Sequence, residues 1–493
     1  MLDDLINERL KKLEKYRKLG NPYPASVRRD FLIAEVLEKF SELEESEKNI
    51  SIVGRLMSWR DQGKIIFADL KDGSGKIQVV FNANELKNFD FLNETLDTGD
   101  FIQVAGSAFK TKKGEKSVLI KSAEMISKSM RPWPSTWFGI EDVEKKLRER
   151  YLDLLLNDEV RDLFIKKSRF WDVVRSSLVK EDFLETETPV LESLPGGAEA
   201  EPFKTHHNAL NTDFYLRISL ELPLKKLLVG GYEKVFEIGR IFRNEGIDKE
   251  HLQDYTQMEC YWAYADYKDM MALTQKIYKK AVKEIFGELK TKSGEHVIDW
   301  DTKWPLVDYY EVFKKETGID LKNATKEELH KKAHELNLDP ESFLGRGRLI
   351  DLIYKKSVRP KLIQPCFLVD PPVDIEPLAK RTEYDSNRVE RFQIVAAGTE
   401  LGKGFSELND PIDQRKRFEE QTKLKEAGDR EAQNLDEDFL QALECGMPPA
   451  AGFGMSERFF SVLMDKPVRE CVIFPLMKPN LPAGGQNNKN VKH

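Results

Sequence analysis

Arg243, Glu245, His251, Tyr255, Glu259 and Tyr261 lie in one short stretch that begins Val235-Phe-Glu-Ile-Gly-Arg-Ile-Phe-Arg243-Asn-Glu245-Gly246. Arginine carries a permanent planar charge that holds phosphate or carboxylate through paired hydrogen bonds. Glutamate supplies an anion for a cation or a metal. The stretch alternates apolar and functional residues, as a hairpin does. On a strand, residues two apart share a face, so Tyr255, Gln257, Glu259 and Tyr261 point the same way. A half-buried antiparallel sheet with one solvated face produces the same alternation, and this stretch alone leaves both readings open. Two further segments add functional residues: Gly398-Thr-Glu400-Leu-Gly-Lys403-Gly-Phe405-Ser-Glu407-Leu-Asn-Asp410 and Gly452-Phe-Gly454-Met-Ser-Glu457-Arg458. The chain has no P-loop, no G-x-S-x-G elbow and no H-E-x-x-H pair, so the common compact devices for phosphate binding and nucleophile activation are absent.

Several elements must position these side chains. Residues 8–18 have basic side chains at helical spacing and stop at Gly20 before Asn-Pro-Tyr-Pro, which predicts a short basic helix with a solvated face. From about 50 to 128, β-branched and aromatic runs (NISIVGRLMSW, KIIFADLKD, KIQVVFN, DFIQVAGSAF, KSVLIKSAEMI) are separated by turn formers. Strands at this spacing after a helix suggest a small barrel of the OB type. Met130-Arg-Pro-Trp-Pro134 marks a linker, since closely spaced prolines exclude helix and central strand. Beyond it, Val160, Leu163, Phe164, Trp171, Val174 and Leu178 predict an amphipathic helix, and a strand running into Pro189 is expected next. Residues 213–264 read as short strands with a helix, and 266–290 and 325–360 as helical. Strands return after 365, a charged helix follows, and Gly452-Phe-Gly454 is expected to open a last helix. The resulting domains are 1–49 as lead-in, 50–130 as barrel, 131–144 as linker, 145–480 as an α+β domain with a helical insertion at about 312–360, and 481–493 as a disordered tail.

The chain has 493 residues, more than one core usually organises. Its formal charge of −7 excludes a protein that holds nucleic acid by bulk positive charge, so any such contact is local. The acidity belongs to the second part, because the first 130 residues are close to neutral. Cys260, Cys366, Cys445 and Cys471 lie far apart without zinc spacing, which fits a reducing compartment and supports neither disulfides nor structural zinc. No apolar run reaches spanning length and no signal peptide opens the chain, so a soluble cytoplasmic protein without a membrane partner is expected.

VFEIGRIFRNEG resembles motif 2 of the class II aminoacyl-tRNA synthetases, FLETETP resembles motif 1, and GFGMSERF resembles motif 3. Within that class, PGGAEAEPFKTHHNAL, YLRISLELPLKKLLVGGYEKVFEI, YWAYADY and GFSELND are similar to the lysyl-tRNA synthetase family, from the first helix to about Pro479. The resemblance implies an OB-fold anticodon-binding barrel joined to a catalytic domain of antiparallel sheet flanked by helices. It implies a ligase that uses ATP to activate L-lysine and then charges the 3′ end of tRNA(Lys), with magnesium and no zinc, as a homodimer through motif 1. By that resemblance Arg243 bridges the amino-acid carboxylate and the α-phosphate, and Arg458 holds the far end of the triphosphate. Glu245, His251, Tyr255 and Glu400 complete the ATP site, with Tyr255 stacked on adenine. Gly197, Glu221, Glu259, Tyr261, Lys403, Phe405 and Glu407 join Arg243 around lysine. Glu400 is the implied metal ligand, with Gln393 and Glu407 as further candidates. Arg55, Phe67 and Gln78 face the anticodon, and Lys110, Lys112, Lys113, Lys116 and Lys121, with the first helix, meet the tRNA backbone.

Three positions depart from the family pattern. Gln393 stands where a glutamate usually helps to hold magnesium. Lys403 stands where an asparagine normally contacts the amino acid, and a cation there repels a lysine substrate unless it points away or pairs with a glutamate. The glycine spacing before Glu457-Arg458 is one residue short. These departures keep three alternatives in view: a related synthetase with altered amino-acid selectivity, such as an aspartyl or asparaginyl type; a catalytically weakened tRNA-binding paralogue; and a short relative that modifies a protein lysine. The last lacks the barrel.

Overall fold

The computed structural model describes residues 2–133, 142–246, 252–429 and 432–479. The tail 481–493, the linker positions 134–141 and His251 lie outside the described residues. Two compact units divide the chain, Met1–Glu141 and Asp142–His493.

The first unit is built on a closed barrel. Its strands in chain order are Ile50–Asp61, Ile65–Lys71, Lys76–Asn82, Phe101–Lys110 and Lys116–Ser127, and the last two exchange places around the barrel. Strict alternation explains the closure: Ile66, Ala68 and Leu70 point inward and are buried, while Phe67 and Asp69 point out. The helix Leu2–Arg17 covers part of the barrel with Leu13 and Tyr16, and the Tyr16 hydroxyl accepts a hydrogen bond from Met125 N at 2.7 Å. Its basic side is only partly a solvated face. Lys12 pairs with Asp97 at 2.7 Å, Lys15 pairs with Glu94, and Arg9 donates to Ser129 O at 2.7 Å. Those cations serve the barrel, because the segment around Asp97 presents acids and carbonyls to them. Similarly Lys110 meets Glu44 at 3.4 Å and Lys116 donates to Leu37 O at 3.1 Å, whereas Lys112, Lys113 and Lys121 are exposed.

The second unit is α+β. An eight-stranded sheet runs in the spatial order Leu306–Asp308, Cys366–Val369, Arg391–Ala396, Thr399–Ser406, Ala450–Ser456, Asp254–Ala263, Lys234–Phe242 and Leu184–Glu185. The outermost pair at each end is parallel and every other pair is antiparallel. Helices Asp158–Lys180 and Tyr267–Phe286 pack on it through one large core. In the first of these the fully buried stripe passes through Leu163, Phe170, Val173, Val174 and Leu178, with Val160, Phe164 and Trp171 half-buried beside it. Each such large side chain contributes about 1.5–3 kcal/mol by leaving water. The segment 309–357 forms helices Tyr309–Thr317, Lys326–Glu335 and Arg346–Ser357 around a core of its own that includes Phe313, Leu329, Ile350 and Tyr354.

One expectation is corrected here. Gly452 and Gly454 do not open a helix. They lie inside the strand Ala450–Ser456, and the last helix, Arg458–Leu463, starts after it. The physical reason is crowding, since a Cβ on Gly452 would sit 2.2 Å from Glu407 Oε1 and 2.5 Å from Tyr261 Cε1. A strand without side chains at those positions lets its neighbours fold over it.

Candidate active site

The sheet carries a cavity of about 880 Å³. Tyr255, Gln257, Glu259 and Tyr261 all line it, as a single face of the strand Asp254–Ala263 must. Arg243 follows the neighbouring strand, where its Nε donates to Ile218 O at 3.2 Å and its guanidinium stands 5.7 Å from the centre of the Tyr255 ring. Glu245, Glu400, Lys403, Phe405 and Arg458 line the same cavity, as do Gly197 and Glu221. Gly197 has φ +80, and a Cβ there would approach Glu221 Cβ at 3.0 Å, so the loop can pass over Glu221 only as glycine. Arg458 begins the last helix beside Glu457, which is buried and paired with Lys167.

At one end of the cavity is an acidic group of side chains. Glu259 accepts from Ser219 Oγ at 2.8 Å, Leu220 N at 3.0 Å, Gln257 Nε2 at 2.5 Å and Tyr261 Oη at 2.9 Å. Glu221 pairs with the fully buried Lys225 at 2.6 Å, and Lys225 also pairs with Glu407. Burial pushes the Glu221 carboxyl up to about 7, against the pull of Lys225 and with help from Glu259. Burial raises Glu407 too, again opposed by Lys225. Lys225 itself is held above its usual value, because Glu221 and Glu407 outweigh the cost of burying its charge. Glu407 is therefore engaged by a lysine rather than open to a metal. The motifs do not single out Lys225, although its i,i+4 spacing from Glu221 in a helical run points to it.

A second region centres on Glu400. Gln393 Nε2 donates to Glu400 Oε2 at 2.6 Å, and Gln393 Oε1 is buried without a hydrogen-bond partner. Burial acts to raise the Glu400 carboxyl, but Arg391, Arg458, Lys403 and Lys355 together hold it below its usual value. Lys403 pairs with Glu376 at 2.9 Å, and Arg391 approaches the same Glu376 oxygen at 3.3 Å. Arg391 shares a face of the strand Arg391–Ala396 with Gln393, two residues on, whereas sequence spacing carries no signal for Glu376, which follows the turn Val373–Ile375, or for Lys355 of the insertion. Among the described residues no group of three or more His, Cys, Asp or Glu side chains is arranged to hold a metal.

In the first unit, Arg55, Phe67 and Gln78 lie on one outward face: the register pairs Arg55 with Lys71 and Asp69 with Gln78, and Phe67, Asp69 and Lys71 alternate on one strand. The Arg55 guanidinium sits 4.3 Å from the centre of the Phe101 ring, and Gln78 Oε1 accepts from Ser117 Oγ at 3.0 Å.

Residues 142–478 match the family described as tRNA synthetases class II (D, K and N), and residues 50–126 match the OB-fold nucleic acid binding domain. The chain belongs to the class II aminoacyl-tRNA synthetases, in the group described by the letters D, K and N. Among its relatives, a lysine–tRNA ligase of Moorella thermoacetica is 44% identical and covers 97% of this chain and 98% of its own length. A lysine–tRNA ligase of Carboxydothermus hydrogenoformans is 42% identical over 97% of this chain and 99% of its own. One from Dehalococcoides mccartyi (strain 195) is 42% identical over 99% of this chain and its full length.

Proposed function

We propose that this chain is a lysine–tRNA ligase, which joins L-lysine to ATP as lysyl-adenylate and then transfers it to the 3′ end of tRNA(Lys). The observation that carries this reading is the pairing, in one cavity, of an acidic end with arginines suited to phosphate. A substrate with two ammonium groups loses water on entering and needs anionic partners. Glu259 and, as it ionises, Glu221 supply them beside Tyr261, Phe405 and Gly197, with Glu407 behind them on the shared Lys225. An aspartyl or asparaginyl substrate would want basic selectors where Glu221 and Glu407 stand. Lys403 does not spoil the pocket, since it is held by Glu376 at 2.9 Å.

Arg243 holds the amino-acid carboxylate against the α-phosphate, a role supported by its motif position and its place in the cavity wall beside Tyr255. The carboxylate oxygen attacks the α-phosphorus, the bond to the bridging oxygen breaks, and pyrophosphate leaves with its charge met by Arg458. Tyr255 offers a ring for adenine, Glu245 reaches the nucleotide from the same wall, and His251 belongs to this set by its motif. Catalysis is positioning and electrostatic stabilisation with no protein nucleophile. Magnesium fits beside Glu400, where the Gln393 carbonyl oxygen is buried and unpartnered and the carboxylate is held ionised. When bound, the metal supplies charge neutralisation to the phosphates. Arg55, Phe67 and Gln78 form the anticodon face, by stacking and edge contact. A homodimer through the motif 1 segment is supported by its exposed Val179, Leu184, Val190 and Leu191. A cytosolic location suits four free thiols.

Lysine-dependent exchange of pyrophosphate into ATP tests the reading. Exchange is expected with lysine and not with methionine or leucine, because an apolar side chain brings no cation to the acidic end of the cavity and gains nothing for the polar surface it covers. Folded protein that exchanges with another amino acid only, or with none, refutes it.

A further inference from the structure

The wall around Glu400 holds more positive charge than one carboxylate accounts for. Arg391 and Lys403 share the single carboxylate of Glu376, so their pairing leaves one positive charge in excess. Arg391, Arg458, Lys403 and Lys355 line the same cavity as Glu400, and Lys355 comes from the insertion helix Arg346–Ser357, where it pairs with Asp351 at 2.7 Å. The strand register puts Gln393 directly opposite Lys403, so an amide and an ammonium face the cavity at adjacent places. Asp351 is taken by Lys355, Glu376 by Arg391 and Lys403, and Glu199 by Arg348, so the oxygen donors left at this wall are the anionic Glu400 and the neutral, buried Gln393 Oε1. That is enough for a single hard cation shared with a polyphosphate and not for a cage of carboxylates.

Resting on the reading of this cavity as an ATP site, we propose that Lys403, Arg391 and Lys355 form a built-in cationic seat for the triphosphate, so that nucleotide binding in this protein depends only weakly on divalent metal. A positive side chain held by its neighbours in a partly buried site is already oriented, and it stabilises phosphate charge without recruiting an ion. Glu376 restrains Lys403 and Arg391 without fully neutralising them. This gives the departures at Gln393 and Lys403 a common account: the loss of one anion and the gain of one cation shift the same site from metal-borne to side-chain-borne charge.

Calorimetric titration of ATP into the full chain, once with excess EDTA and once with magnesium, tests this directly. The native protein is expected to bind ATP in EDTA within a few-fold of its affinity in magnesium. Lys403→Asn is expected to lose at least about tenfold in EDTA, the worth of one charge-assisted hydrogen bond, and to recover most of it with magnesium. Lys355→Gln, at a half-exposed position that leaves the core intact, should show a smaller loss of the same kind, and it carries the test if Lys403→Asn proves unfolded by thermal melting. Adding Gln393→Glu to Lys403→Asn should deepen the dependence on magnesium. Chelation that weakens the native protein and its variants by the same factor overturns the proposal and leaves the ATP site standing. No ATP binding even with magnesium overturns the seat together with the reading beneath it.

Discussion

Glu221 shows what a single residue does in this protein. Its carboxyl lies at about 7 in the fold against an ordinary 4.5, because burial outweighs the nearby Lys225. The folded chain therefore holds this proton in a pH range where the unfolded chain has lost it. The associated stabilisation is complete below 4.5 and is lost as pH rises through about 7. The thermal midpoint of the second unit should then fall between those values, and Glu221→Gln, which cannot ionise, should flatten the fall. The same titration bears on substrate. An ionised Glu221 is the better partner of a cation, so the KM for lysine in pyrophosphate exchange should decrease as pH rises across that window, and Glu221→Gln should remove the trend. A variant that keeps the native slope in both measurements would show that Glu221 is not the titrating group.

At the scale of elements, the barrel and the large sheet place their chemistry by the same rule of alternation. On Ile65–Lys71 the inward positions Ile66, Ala68 and Leu70 make the core, which leaves Phe67 half-buried on the outer face with Asp69. Had Phe67 been a core aromatic, its truncation would cost about 3–5 kcal/mol. Placed outside, Phe67→Ala should change stability by no more than about 1 kcal/mol. Charging of tRNA should drop by about tenfold or more while pyrophosphate exchange persists, if one base stacks on the ring. Equal loss of both activities would point to a folding defect instead. The glycines of Ala450–Ser456 illustrate the complementary device. Where Asp254–Ala263 and Thr399–Ser406 send Tyr261 and Phe405 toward the cavity, the strand between them has glycines at Gly452 and Gly454.

For the whole molecule, a formal charge of −7 and a nucleic-acid substrate are compatible because charge is distributed unevenly. Many cations of the first unit are engaged internally: Arg9, Lys12 and Lys15 on the barrel, and Lys128 on Asp97 and Asp100. Lys112, Lys113 and Lys121 remain exposed. Affinity for tRNA should accordingly fall with salt less steeply than for a strongly basic protein. Replacing all three with glutamine should weaken binding at low salt and shallow the slope of log affinity against log salt by about 0.7–0.9 for each phosphate no longer neutralised. An unchanged slope in a filter-binding titration would move the tRNA-facing surface elsewhere.

Much of this was legible from the order of residues alone. The barrel strands, the helix Asp158–Lys180 and the face shared by Tyr255, Gln257, Glu259 and Tyr261 follow from alternation and helical spacing, which are local properties of a chain, while the glutamates proposed for a cationic substrate are what the family resemblance implies. Tertiary structure alone decided which charges meet. Lys225 with Glu407, Glu376 between Lys403 and Arg391, and the insertion's Lys355 with Glu400 on one cavity wall join residues that no local pattern links. Ion pairing and burial depend on distances through space, and a linear pattern does not encode them. The sequence therefore settled which residue types the site contains, and the fold settled how much of their charge is left for a substrate.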